Sequence, residues 1–336
     1  MRPRTALYLI YSTPLPVLII SLFLGPADTV SASDVLTCLT GSWFSRAPSA
    51  VVVDDVVRTI IWDVRLPRIL LAFLVGAALS GSGVALQALF RNPLVDPYLL
   101  GLSSGSAFGA ALALTTLWMP LQLSAFSFGM LAVGASYFLA RTRKSVTVLS
   151  LILSGIIVSG IFTSLLTIVQ FLTDPFRLQT IVHWTMGNLH NASWVKLTSS
   201  APGILAGIGW LLLFRWRMNV LALGDEETRA VGLNPEHQKL LVLIPATLAA
   251  SASVAVAGVI GLVGLVVPHM TRMLIGPDNT RAVPASIALG GSFLLLVDDC
   301  SRIAASFEVP IGIFTTLIGG PFFIFLLRRS RVGWEI

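Results

Sequence analysis

Residues 67–90 read PRILLAFLVGAALSGSGVALQALF, an apolar run whose single charge, Arg68, lies at its start. A helix needs about 20 mostly apolar residues to cross the hydrocarbon core of a bilayer, and this run has that length and composition. Nine more runs of the kind lie near residues 6–25, 99–118, 122–140, 146–172, 195–214, 240–258, 259–275, 282–298 and 311–327, which makes ten predicted spans. The composition agrees: 55% of the 336 residues are hydrophobic and 11% charged, where soluble domains carry about 25% charge. Mean hydropathy is +0.86. The expected fold class is an all-α integral membrane protein, with one domain over residues 1–336 because no long soluble segment separates the runs.

Two stretches need a decision. Arg2 and Arg4 ahead of an apolar stretch could open a signal peptide, but no small-residue cleavage site follows closely and Pro14 and Pro16 interrupt it, so it is read as a retained helix. Leu240–Met270 is broken only by His269, small polar residues, Pro245 and Pro268. One helix there would be too long and two would be short. Gly258, Gly261 and Gly264 favour a reversal of the backbone, so two helices are predicted. The glycines and alanines of Gly76–Gly83 and Gly101–Gly109 predict close helix packing rather than a ligand site.

Cytoplasmic loops hold the excess of Lys and Arg. With the N-terminus inside, ten spans place Arg2, Arg4, Arg91, Arg141, Arg143, Lys144, Arg215, Arg217, Arg229, Lys239, Arg272, Arg281, Arg328, Arg329 and Arg331 inside. Only Arg46, Arg58, Arg65, Arg68, Arg177, Lys196 and Arg302 then lie outside or toward the outer face. Both termini are therefore expected in the cytoplasm. The outer segment 26–64 is polar and carries five aspartates, and the inner segment 215–239 is rich in charge.

The residues also exclude chemistries. A phosphate-binding loop needs glycines followed by Lys and Ser or Thr, and no such run precedes Lys144, Lys196 or Lys239, so ATP hydrolysis is not expected of this chain. HExxH and CxxC are absent, and the GxSxG string at Gly101–Gly105 falls in a small-residue stretch within an apolar run, not on the strand-to-helix turn of a nucleophile elbow, so hydrolase and metalloprotease readings are not supported. Cys38 and Cys300 are too few for a disulfide framework and lack metal-site spacing; both are expected to be packing residues. The four histidines are scattered, and His269 reads as a satisfied core residue. The net charge of +6 comes from short clusters between apolar runs, not the basic stripe of a nucleic-acid binder. No catalytic residue, metal or cofactor is expected. An ion-coupled secondary transporter stays open as the alternative, but it would place carboxylates mid-helix; the nearest candidates, Asp298 and Asp299, lie at a predicted outer end.

Leu221–Leu243 reads LALGDEETRAVGLNPEHQKLLVL. Asp225, Glu226 and Glu227 suit the positive N-terminus of a short helix, and Gly232 suits its end. Such an element, exposed on the inside between two spans, is either a solvated loop or a shape another protein can grip.

Four strings, Arg65–Ala110 (RLPRILLAFLVGAALSGSGVALQALFRNPLVDPYLLGLSSGSAFGA), Leu221–Leu233, Gly258–Leu274 (GVIGLVGLVVPHMTRML) and Val309–Leu327 (VPIGIFTTLIGGPFFIFLL), resemble the permeases of type II ABC importers, which carry iron-siderophores, haem and cobalamin. The resemblance covers almost the whole chain. It implies a homodimer of ten-helix subunits in the bacterial cytoplasmic membrane, a transport path at the two-fold axis, two ATPase subunits that bind the ATP inside, and a substrate-binding protein docking outside. The coupling segment would be about 221–239, with Gly224, Glu226, Glu227, Arg229 and Gly232 as ATPase contacts. The positions matching the docking arginines of the cobalamin permease are Arg65, Arg68 and Arg302. Gate candidates are Asn92 and Leu94, together with Thr147 and Val148, where this sequence departs toward apolar residues. Within the family the substrate stays open among iron-siderophore, haem and cobalamin, with a molybdate-type oxyanion as the outlier.

Overall fold

The computed structural model describes residues 3–25, 30–44, 55–141, 146–304 and 308–329. Of the basic residues that set the expected orientation, Arg2, Arg46, Arg143, Lys144 and Arg331 lie outside the described residues, as does part of the outer segment 26–64.

The described residues are helical almost throughout. In chain order they form α1 (Pro3–Ser12), α2 (Pro14–Phe23), α3 (Ala32–Phe44), α4 (Asp55–Thr59) and α5 (Leu66–Phe90), then α6 (Leu102–Thr116), α7 (Leu121–Ala140), α8 (Val148–Leu172), α9 (Pro175–Thr185) and α10 (Trp194–Leu223). They end with α11 (Asp225–Ala230), α12 (Pro235–Ala257), α13 (Val263–Ile275), α14 (Asn279–Ile303) and α15 (Ile311–Arg329).

Each predicted run falls on one or two of these helices. Seven stretches, 5–23, 55–90, 121–140, 148–172, 194–223, 235–257 and 279–303, are long and apolar enough to cross a membrane. α13 and residues 311–324 are apolar but shorter. α6 has 15 residues, about 22 Å at 1.5 Å per residue, less than the ~30 Å of a bilayer core. Length and composition among the described residues therefore support seven crossings.

Two boundaries differ from the sequence reading for local reasons, and a third agrees with it. Pro14, at the first position of α2, has no N–H to donate and divides the first run into α1 and α2. The helix expected over residues 67–90 begins at Asp55: α4 runs through a π-helical segment, Ile60–Arg65, into α5. Its early start is held by a small apolar cluster in which Val57 and Ile61 pack on Val35 and Cys38. Cys38 is thus a packing residue, whereas Cys300 is an exposed free thiol and corrects the expectation for that position. The run 240–270 is indeed two helices, parted at Gly258, whose φ of +70° suits a residue without a Cβ.

The core is built around α5, which packs on α10, α12, α13 and α14. In its most apolar window 83% of the residues are buried, against 22% for α8, so α5 is central and α8 peripheral. Small residues permit this close packing. A Cβ on Gly83 would lie 1.8 Å from the Gly264 carbonyl oxygen of α13, and one on Gly76 would lie 2.3 Å from that of Gly290 in α14. Because backbone cannot move aside as a side chain can, Gly83→Ala is expected to separate α5 from α13 and cost about 1–3 kcal/mol. A lower melting midpoint in detergent would register this. Gly134→Ala, where a Cβ meets nothing within 4 Å, is the matched control and should melt no lower than the parent.

Candidate functional site

At one end of the bundle, α11 stands between α10 and α12. Gly224 turns the chain into it at φ +152°, a conformation that side-chain-bearing residues rarely adopt, so the turn favours glycine. Thr228 is fully buried and its hydroxyl donates to the Gly224 carbonyl at 2.5 Å. Past the end, Gly232 adopts φ +78°, and the Leu233 N–H donates to the Thr228 carbonyl at 3.0 Å, a usual way to satisfy the last helical carbonyls. Glu226, Glu227 and Arg229 are exposed and make an outward face of charge.

Asp225 is turned inward instead. It accepts from Arg91 Nη2 at 2.5 Å and from Lys239 Nζ at 2.7 Å. Lys239 is 1% exposed, and its ammonium also donates to the Val146 carbonyl at 2.7 Å and to Glu236 at 3.0 Å. All three ammonium protons are thereby used, which is what makes a buried lysine tolerable. Glu236 in turn accepts from the Val146 N–H at 3.1 Å.

This cluster reaches both pairs of gate candidates. Arg91 ends α5 in the left-handed region at φ +51°; the next residue, Asn92, accepts from the Leu94 N–H at 2.9 Å and fixes the turn that follows. Val146 immediately precedes Thr147, the N-cap of α8, whose hydroxyl accepts from the Ser150 N–H at 3.1 Å, with Val148 opening the helix. One carboxylate and one ammonium therefore tie α11 to the end of α5 and the start of α8. Sequence reasoning placed Gly224, Glu226, Glu227, Arg229 and Gly232 on α11 but did not single out Asp225, Arg91, Glu236 or Lys239 as a unit. The one local signal was the Glu236–Lys239 pair, three apart at the start of α12.

Nearby, Asn219 of α10 donates to Asp278 at 2.8 Å and accepts from the Asn279 N–H at 2.8 Å, joining α10 to α14. The hydrogen bonds from Asn219 and then Thr280 hold the Asp278 carboxyl below the usual carboxylate range.

The opposite end holds a second charge cluster. Arg68 donates to Asp298 through Nε at 3.1 Å and Nη2 at 2.9 Å, and to Glu308 through Nη1 at 2.9 Å. Arg302 pairs with Asp298 at 3.2 Å, donates to Asp299 and reaches the Leu24 carbonyl at 3.1 Å. Asp299 also accepts from Ser21 at 2.5 Å. Arg65 donates to the Leu22 carbonyl at 2.9 Å. Arg65 and Arg302 thus satisfy carbonyls at the end of α2, which no further helical turn could serve.

Arg65, Arg68 and Arg302 are brought together as expected of a docking cluster, but they are 4%, 6% and 4% exposed and their partners are internal. Among the described residues three guanidiniums face three carboxylates, Asp298, Asp299 and Glu308, so these six side chains are formally neutral together. Asp298 and Asp299 are engaged by arginines, which gives neither the free carboxylate an ion-coupling site uses. The partners, from α2 and from the segment before α15, are far away in sequence and were not legible there.

The sequence profile of the FecCD transport family matches residues 14–329. A Helicobacter pylori protein named as an iron chelatin transport system permease is 40% identical over 81% of this chain and 83% of its own length. A molybdate import system permease of Haemophilus influenzae is 38% identical over 85% and 86%. A solved metal-chelate type ABC transporter in an inward-facing conformation superposes with a TM-score of 0.84 at 34% identity, covering 97% of this chain and 99% of that one.

Proposed function

Because the chain belongs to the FecCD transport family, we propose that it is the membrane-spanning subunit of an ATP-driven ABC importer that carries a metal chelate, of the ferric siderophore or haem kind, or cobalamin, inward across the bacterial cytoplasmic membrane. Hydrolysis of ATP belongs to a separate ATPase subunit. The observation that carries the reading is α11, where exposed Glu226, Glu227 and Arg229 accompany Asp225, which is bonded to Arg91 at the end of α5 and, through Lys239, linked to the Val146 carbonyl just ahead of α8. A helix gripped by an ATPase on one face and tied to two gate segments on the other converts nucleotide-driven motion into movement of the path. The similarity to a molybdate permease, at 38% identity, supports an oxyanion as the second substrate class.

The finer parts of the proposal are a homodimer, ten crossings and both termini in the cytoplasm. The face of α8 bearing Leu149, Leu153, Ile156, Ile157 and Ile161, all more than half exposed, supports a second copy of this chain packing there. A substrate-binding protein docks on the outer end. Since Arg68 is held by Glu308, whose side chain is 38% exposed, docking there requires a partner carboxylate to take the place of Glu308.

Reconstitution with the cognate ATPase and binding protein in vesicles tests the function: ferric chelate should enter only with ATP. Glu226→Lys with Glu227→Lys should leave the melting midpoint in place while lowering ATPase copurification about tenfold or more, since charge reversal across a docking face costs several kcal/mol. Uptake without ATP, or unchanged ATPase retention in the double variant, would contradict the proposal.

A further inference from the structure

Away from both charge clusters, α7 and α12 diverge to leave a groove of about 510 Å³. Its body is apolar, lined by Met130, Val133, Phe138, Leu240, Leu243 and Ile244. Its floor at Gly134 is empty of side chain, and a Cβ built there meets nothing within 4 Å. At one end the lining becomes polar, with Arg141, Glu236 and His237. We propose that this groove is a binding site for one anionic phospholipid of the cytoplasmic leaflet, with an acyl chain lying along Gly134 and the phosphate on Arg141.

Length, charge and surroundings point to this occupant. Met130 and Arg141 are eleven positions apart at the end of α7, about 16 Å at 1.5 Å per residue, and half of a ~30 Å hydrocarbon core is one leaflet. The groove therefore spans one leaflet and ends in charge where headgroups begin. Phe138, 71% exposed, and Ile244, 55% exposed, flank it, so its mouth opens sideways from the bundle. The charge at the rim is positive. Glu236 is the acid there, and its carboxylate is already bonded to Lys239 and to the Val146 N–H. Arg141 is exposed and no ion pair to it occurs among the described residues. Arg143 and Lys144 follow two and three positions later in the sequence. Basic pockets between spanning helices on the cytoplasmic side suit anionic headgroups. The site rests on the cytoplasmic placement of this end in the proposed topology. It also adjoins the node that joins α11 to α8, since Glu236 lines both.

The test uses the purified full chain in detergent, with phosphatidylglycerol and phosphatidylcholine as probes, read by native mass spectrometry and by lipid-induced change in melting midpoint. One phosphatidylglycerol should be retained per chain, about fivefold more tightly than phosphatidylcholine, the size of attraction expected for one basic side chain at an anionic surface. Arg141→Gln should remove that preference while both lipids still bind. Gly134→Leu should displace both, with helicity and lipid-free melting unchanged. Should Gly134→Leu fail to fold, Arg141→Gln decides alone. Equal binding of the two lipids by the parent protein, or an unchanged preference in Arg141→Gln, overturns the proposal. So does a result in which Gly134→Leu leaves lipid binding intact but separates a dimer, which would assign the groove to a second copy of the chain.

Discussion

Asp298→Ala is expected to leave little folded protein in the membrane. Asp298 is fully buried and lies against two guanidiniums, Arg68 at 2.9 Å and Arg302 at 3.2 Å. Removing it leaves two buried cations facing each other with a net positive charge where the cluster was neutral. Breaking a buried ion pair from one side costs about 3–5 kcal/mol, a large part of the ~5–15 kcal/mol that holds a typical domain folded. The yield of monodisperse protein and its melting midpoint should both fall sharply. Arg68→Leu combined with Asp298→Leu removes one charge of each sign, leaving Arg65 and Arg302 against Asp299 and Glu308. Apolar replacement of a buried pair is often neutral, so the double variant should recover much of the loss. An Asp298→Ala protein that melts with the parent would show that the cluster is not what joins α2, α5 and α14.

Lys239→Met is expected to abolish transport while sparing attachment of the ATPase. Methionine fills most of the volume of the lysine stem but supplies no donor, so Asp225, Glu236 and the Val146 carbonyl lose a common partner. A buried carbonyl without its hydrogen bond costs about 1–3 kcal/mol, and the Asp225 carboxylate then keeps only Arg91. Since Glu226, Glu227 and Arg229 are exposed and bond none of these groups, the ATPase should still copurify and still hydrolyse ATP, with vesicle uptake reduced about tenfold or more. Arg91→Gln should be milder, because its pair with Asp225 is about one-third exposed and exposed pairs contribute about 0–1 kcal/mol. Normal uptake by Lys239→Met, or loss of the ATPase from it, would remove Lys239 from the coupling path.

These two predictions depend on contacts that the sequence shows unequally. The helices themselves were legible: the apolar runs, the break at Gly258 and the α11 segment between Gly224 and Gly232 are local signals, set by composition within a turn or two. The arginines 65, 68 and 302 could be gathered at one end because a spanning helix fixes which end each residue occupies. Their burial could not be read, since groups that occupy them, the carbonyls of Leu22 and Leu24 and the Glu308 carboxylate, come from segments whose approach depends on packing of α2 and α15 against α5 and α14. The same holds at the other end of the bundle: Lys239 reads as one more cytoplasmic cation by the positive-inside pattern, although it is the least exposed charged side chain of its cluster.

By itself the sequence determined that this protein lives in a bilayer as a bundle of helices, that its charge gathers at the two ends, and that residues 224–232 form a separate short helix. It could do so because the cost of placing peptide groups and charges in hydrocarbon acts on each segment independently of its neighbours. Only the tertiary structure decided which charges face water and which face one another. That choice turns on distances of a few ångströms between residues as far apart as Arg68 and Asp298 or Val146 and Lys239. It follows from the small-residue packing of α5 on α13 and α14, whose geometry no single segment specifies.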